Sequence, residues 1–390
     1  MKKLTLLYIA AFLALTISMM LSCAKEEEYS DSSGSAYTVT GYVQKGPYVQ
    51  GTEITVRELD TSLSPTGRTF TGTIDDNTGT FSAKGDLSSP YVELSADGYY
   101  FNEVSGSLST AKLTLSALSD LTDNSSVNVN LMTHLEKKRV EYLIDTGSTF
   151  STAKSQTQTE IMKIFNIENV SLGSSETLDI SKSGDGNAVL LAISAILQSD
   201  KTEAELTELL STFNTDIRTD GTLDSTTTKA TLLTAMEYLK SRRSTIRTNI
   251  ESRYSNIGVS ATIPAFESYA FKLDTTAPTV DNSSPGDCNC GSSSPLDISV
   301  SFSEIMDETT ITTNTSDTSC SGSFQLSSDN FNTCKQMTGL SFTISDSYKT
   351  FTLKSVVLAN STTYKFRVTS GATDVAGNSL TSMTAYDIRK

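Results

Sequence analysis

The sequence predicts a mixed, multi-domain fold: a β-sandwich, then an α-helical bundle, then a second β-sandwich. Three observations carry this reading. Apolar residues alternate between regularly spaced turns from 37 to 120. They recur every three or four residues from 128 to 268. They return to alternation from 275 to 390. A period of two marks strands and a period near 3.6 marks helices. At 390 residues the chain has room for two or three domains, and 15 Phe with 15 Tyr supply material for their cores.

The first 36 residues stand outside that pattern. Lys2 and Lys3 precede an uncharged, mostly apolar run from Leu4 to Ser22. Positive start, apolar run and a small residue before the cut form the layout of a secretory signal, here residues 1–22. The run ends in Met20, Leu21, Ser22 and Cys23. That ending resembles the lipobox of bacterial lipoproteins, with Met20 where leucine is more usual. The resemblance implies that the Cys23 sulfur takes a diacylglycerol and that cleavage leaves Cys23 at the new N-terminus. A thiolate is the nucleophile such a transfer needs. Each buried CH₂ of an acyl chain contributes roughly 0.8 kcal/mol to membrane binding, so two or three chains hold a soluble domain on a bilayer. The competing reading is an uncleaved anchor, because 19 uncharged residues just span a bilayer. Residues 23–36 read as a flexible acidic linker rich in Ser and Gly. Its "KEEE" at 25–28 resembles the export signal placed after the cysteine in surface lipoproteins of Bacteroidota. The favoured reading is a solvated spacer that stays off an anionic headgroup surface.

In 37–120, "YTVTGYVQ" alternates and "KGPYVQGTEITVREL" adds a Gly-Pro turn and a second strand, with Ile54, Val56 and Leu59 on its apolar side. Asn77 to Gly79 marks a turn before Phe81, and Asp97-Gly98 marks another. "VTGYVQKGPYVQGTEITV", "DNTGTF" and "YVELSADGYYFNEV" together resemble the carboxypeptidase-regulatory-like (transthyretin-like) sandwiches of secreted bacterial proteins. The resemblance implies a non-catalytic structural or binding unit.

Five helices are expected in 128–268. "THLEKKRVEYLI" offers a capping box from Thr133 to Glu136, and "KTEAELTELL" a second from Thr202 to Glu205. "KSQTQTEIMKIF" lies between them. "GNAVLLAISAILQ" is apolar nearly all round, which predicts a buried central helix too short to span a membrane. "SGDGN" before it looks like a fragment of a calcium loop but lacks the closing Glu, so it reads as a turn. The last helix, Thr228 to Tyr254, carries Leu232, Leu233, Met236, Leu239, Ile246 and Ile250 along one face. Short loops between such helices imply a bundle. A "GYVQKGP" sandwich followed by a "THLEKKRVEYL" bundle is similar to lipoproteins of diderm bacteria, for which no activity follows.

In 275–390, Leu296, Ile298, Val300 and Phe302 alternate, as do Tyr364, Phe366 and Val368. "TTAPTVDNSSP", "ISVSFSEIMDETTI" and "STTYKFRVTSGATDVAGNSL" resemble the bacterial Ig-like domain first described in S-layer proteins. About seven short strands are expected. The order is then β-sandwich, α-helical bundle, Ig-like β-sandwich. The resemblance implies a spacer or adhesive module without catalysis. Four cysteines, Cys288, Cys290, Cys320 and Cys334, and a Thr/Ser-rich insert near 311–334 depart from that family's pattern. In an exported chain they suggest two disulfides, of three possible connectivities. Cys320 with Cys334 closes a loop that contributes roughly 3 kcal/mol. Cys288 and Cys290 are too close to bridge without strain, so cross-pairing stays open. A zinc site is disfavoured by the absence of paired C-x-x-C knuckles.

The formal charge is −15, and losing Lys2 and Lys3 makes the mature chain two units more acidic. Nucleic acid as partner requires a basic surface, so it is excluded. The chain has one histidine, His134, inside a helix start, and it reads as a surface or domain-contact residue. No H-E-x-x-H, G-x-S-x-G, Walker loop or G-x-G-x-x-G is present. Paired carboxylates among the 45 acids leave hydrolysis as the remaining chemistry. Tyr99, Tyr100 and Phe101 cannot all face inward in a strand, so one ring is expected outside. The absence of Trp argues against a dedicated glycan platform. The expected protein is a non-enzymatic lipoprotein, lipid-anchored at the outer membrane and displayed at the cell surface of a diderm bacterium. It has no cofactor or metal beyond the lipid on Cys23, and a protein or glycan is its possible ligand. The alternative is a periplasm-facing envelope assembly or structural factor.

Overall fold

Strand β1 runs from Ser35 to Gln44, two residues earlier than the expected sandwich boundary. The computed structural model describes residues 35–123, 125–286, 295–381 and 384–389. Cys23, the "KEEE" segment, Cys288 and Cys290 lie outside the described residues.

Strands β2 (Glu53–Leu59), β3 (Pro65–Ile74), β4 (Thr80–Leu87), β5 (Tyr91–Gly98), β8 (Leu113–Asp120) and β9 (Val129–Asn130) join β1 in one sheet of order β8-β5-β2-β3-β4-β1-β9. All pairs are antiparallel except β1 with β9. The end strands β8 and β9 touch, so the sheet curls over on itself. A small hairpin, β6 (Phe101–Asn102) with β7 (Ser107–Leu108), follows β5. The period of two sends Val39, Val43, Ile54, Val56, Phe81, Val92, Leu94, Leu113 and Leu115 inside. A bulge between Arg57 and Leu59 breaks that alternation. Glu58, in phase with Ile54 and Val56, faces inward, where Thr66, Ser88 and Ser89 donate to its carboxylate, and the bulge puts Leu59 out of phase. Leu59 thereby joins a separate small cluster with Leu118, Val140, Leu143 and Ala153.

Two turn signals behave differently. Gly79 adopts φ +88° in the tight β3–β4 connection, and a Cβ there would lie 2.4 Å from the Val43 carbonyl oxygen. Asp97-Gly98, expected as a turn, continues β5 and pairs with Thr114 and Leu113. Its glycine serves a close approach, because a Cβ would lie 2.3 Å from Thr52 Oγ1.

Seven helices follow: α1 (Leu131–Asp145), α2 (Phe150–Ile164), α3 (Asp185–Gln198), α4 (Glu203–Asp216), α5 (Thr226–Lys240), α6 (Arg243–Asn256) and the single turn α7 (Glu267–Ala270). A 3₁₀ turn, Ser175–Thr177, lies between α2 and α3. The expected Thr133–Glu136 box is displaced. Strand β9 runs straight into α1, so Asn130 caps the helix and Thr133 closes the box. The Thr202–Glu205 box forms as expected. The long last helix breaks after Lys240, whose carbonyl accepts from Arg243 at 2.7 Å as α6 begins. Helix α3 is buried from Ala188 to Gln198 and packs on α1, α4, α5 and α7. The order of sheet, then helices, matches the sequence reading. The two nevertheless share one continuous core running from Val39 to Phe271, so they form a single body. No helix among the described residues is long and apolar enough to cross a membrane.

Among its described residues the C-terminal part has seven strands: β10 (Val280–Ser284), β11 (Leu296–Phe302), β12 (Phe324–Ser327), β13 (Phe342–Ser345), β14 (Thr350–Val356), β15 (Thr363–Val368) and β16 (Thr384–Arg389). They form two sheets, β10-β11-β14-β13 and β12-β15-β16, over a separate core. Phe324 sits at its centre, with ring centroids of Phe342, Phe366 and Phe302 at 4.9, 5.4 and 6.4 Å.

Candidate functional site

Helices α1 and α2, the 3₁₀ turn and the β8–β9 connection enclose a polar cleft of about 560 Å³. Ser151, Lys154, Ser155 and Gln158 line it, because steps of three and four place them on one face of α2. Phe150 forms an apolar wall. Glu136, Lys154 and Glu176 lie at its floor. The Lys154 ammonium reaches Glu136 Oε2 at 2.5 Å and Glu176 Oε1 at 2.9 Å. Ser175 Oγ donates to Glu136 Oε1, and Ser174 Oγ donates to Glu176 Oε2. Burial, with Glu176 nearby, holds the Glu136 carboxyl above its ordinary value against the pull of Lys154. Burial opposes the Lys154 charge, but the two carboxylates outweigh it and hold the ammonium above its usual range. All four carboxylate oxygens therefore already accept a hydrogen bond. A hydrolytic pair instead needs one carboxyl presenting a proton and a second set off by a substrate-sized gap. What this network does chemically is tie the 3₁₀ turn to α1 and α2.

A second charged group was not legible in the sequence. Lys45 leaves β1 and Glu103 follows β6; both side chains are fully buried and their charges pair. Ser194 Oγ on α3 lies 2.9 Å from both Glu103 Oε1 and the Lys45 carbonyl oxygen. Tyr100 places its ring centroid 5.7 Å from the Lys45 ammonium, and its hydroxyl donates to Gln198 Oε1 at 2.7 Å. Glu103 Oε2 accepts no hydrogen bond among the described residues. Burial pulls the Lys45 ammonium below its ordinary value, with Glu103 opposing. The pair ties sheet to helix at the centre of the body. The only sequence signal is a lysine and a glutamate each set among apolar and aromatic neighbours, "VQKGPY" and "YFNEV".

His134 lies where α1 meets β8, its Nδ1 3.2 Å from Ser116 Oγ. Burial, with Lys137 and Lys138 nearby, pushes it down to about 4. It is a contact between sheet and helix, as its isolation in the sequence implied. Of the aromatic run, Tyr100 and Phe101 are buried and Tyr99 is 45% exposed.

The body meets the C-terminal domain around Lys240, which ends α5. Its ammonium lies 2.5 Å from Asp274 Oδ2, 2.7 Å from Glu237 Oε1 and 3.4 Å from Glu304 Oε2. Asn378 donates to the Asp274 carbonyl, and Arg243 stacks on Tyr348 at 4.5 Å. In the C-terminal domain Cys320 and Cys334 form a disulfide with Cα atoms 4.8 Å apart. It closes the segment holding β12, and the Cys320 carbonyl accepts from Gln325 at 3.0 Å.

Residues 274–388 match the family described as the bacterial Ig-like domain. No curated protein matches the chain. Among solved structures it is similar to surface layer protein SbsC, domains 1-6, at 15% identity and a TM-score of 0.20, over 67% of this chain and 32% of that one. It is also similar to the S-layer protein rSbsC(31-844), at 15% identity and a TM-score of 0.20, over 67% of this chain and 44% of that one. The chain spans less than half the length of either.

Proposed function

We propose that the protein is a non-catalytic lipoprotein of the bacterial outer membrane that displays an Ig-like domain at the cell surface, as an adhesive or structural module. The observation that carries this reading is the Ig-like domain at 274–388, clasped through Lys240 to a body of its own. The Cys320–Cys334 bond suits an oxidising, extracytoplasmic setting. The closed Glu136–Lys154–Glu176 network supports a structural use of those two acids. The lipobox-like end at Cys23 supplies the tether, and the lipid is the one non-protein group the protein carries. The acidic composition disfavours nucleic acid, and a protein or glycan is the proposed ligand.

Anchoring is tested with Cys23→Ser in cells. The native chain partitions into detergent with the membrane fraction and carries acyl mass on Cys23. The variant leaves the lipid-modified pool. An unmodified Cys23 in the mature native protein overturns the lipoprotein reading.

A further inference from the structure

The junction between body and Ig-like domain concentrates charge of one sign. Asp274 lies in the connecting segment, Glu304 follows β11, and Asp374 lies between β15 and β16. Their carboxylate oxygens come within 4.8 Å of one another. Asp274 and Asp374 are buried, and the Glu304 side chain is largely so. Glu237, on α5, faces the same ammonium from the solvent side. Lys240 is the cation among these four carboxylates. The other basic groups nearby are engaged elsewhere. Arg243 stacks on Tyr348, Lys349 donates to the Ser303 carbonyl at 2.9 Å, and Lys272 donates to the Ala376 carbonyl at 3.4 Å. Asp374 accepts from the amides of Ala376 and Asn378 and from the Asn378 side chain. Asp274 accepts from Lys240 and from the Thr276 amide. Among the three clustered acids Glu304 thus has the fewest donors, in a place with excess negative charge.

We infer that this junction is a proton-gated clasp: with a proton on Glu304 against Asp274, Lys240 holds the Ig-like domain on the body, and loss of that proton loosens it. Burial, with Asp274 and Asp374 beside it, pushes Glu304 up to about 7 against the pull of Lys240. Its ordinary value, 4.5, applies when the domains part and water reaches it. Docking therefore binds a proton. Its stabilisation is complete below about 4.5 and is lost as pH rises through about 7. Asp274 has the opposite sign. Burial opposes its charge, but Lys240 and the Thr276 amide hold it below 3.8, so it acts only in stronger acid. The one histidine, His134, belongs to the α1–β8 contact and is pushed down to about 4, so it does not titrate in this window.

Hydrogen exchange on the full chain tests this, with rates corrected for intrinsic pH dependence. Protection of the amides of Thr276, Ala376 and Asn378 is expected to fall roughly tenfold between pH 6 and 8 while α3 stays protected. Glu304→Gln, a neutral stand-in for the protonated acid, keeps its protection across that range. Flat protection in the native chain overturns the clasp, and so does the same fall in Glu304→Gln. If the variant fails to fold, small-angle scattering of the native chain decides. Expansion at pH 8 over pH 6 supports the clasp, and identical profiles overturn it.

Discussion

Replacing Lys45 by Met lowers the stability of the sheet–helix body by about 3–5 kcal/mol. The double replacement Lys45→Met with Glu103→Leu recovers most of that loss. The asymmetry follows from burial. Both side chains are fully out of water, and Glu103 Oε2 already lacks a donor. Removing the ammonium leaves a carboxylate in an apolar core with Ser194 as its one side-chain donor among the described residues. Removing both charges leaves a site that apolar groups of similar size can fill. Lys354→Met is the control, since its pair with Asp297 is half-exposed on both sides. It should change stability by under about 1 kcal/mol. Urea unfolding of the three variants measures these differences. Equal losses in the single and double Lys45 variants would show that packing, and not an uncompensated charge, sets the cost.

Lys154→Met has a comparable effect with a pH signature. At pH 8 it costs about 3–5 kcal/mol, because Glu136 and Glu176 then share the cleft floor without a cation. Glu136 is already raised with Lys154 present, and losing the ammonium raises it further. An acid raised in the folded state gives stability that is complete below its unfolded value, 4.5, and lost as pH rises through the folded one. The variant should therefore lie much closer to the native protein at pH 5 than at pH 8. A pH-independent gap between the two in urea midpoints would contradict the role given to Lys154.

What the sequence disclosed was periodicity, and what it hid was pairing at long range. The alternation of Val39 with Val43 and of Ile298 with Val300 and Phe302 placed strands correctly. The run from Ala188 to Leu197, apolar but for Ser194, marked the buried helix. That same run concealed a second fact. A helix buried on every side touches more than its own bundle. Ser194 meets Lys45 and Gln198 meets Tyr100, so sheet and helices close one core. The partners of the buried lysines were equally hidden. Lys45 finds Glu103 58 residues on, and Lys240 finds Glu304 64 residues on. Composition alone offers any of 45 acids. Local signals erred where close packing outweighed residue type, as at Gly98, which admits the Thr52 side chain instead of turning the chain. Capping moved for a related reason, since β9 delivers Asn130 directly to the start of α1.

On the proposed reading, a lipid at Cys23 presents the Ig-like domain to the outside. Protease treatment of intact cells, followed by mass spectrometry of the released peptides, tests it most directly. Release of peptides from 274–388 while the outer membrane is whole is the expected result. Protection of every peptide until that membrane is broken would contradict surface display and place the protein on the periplasmic face.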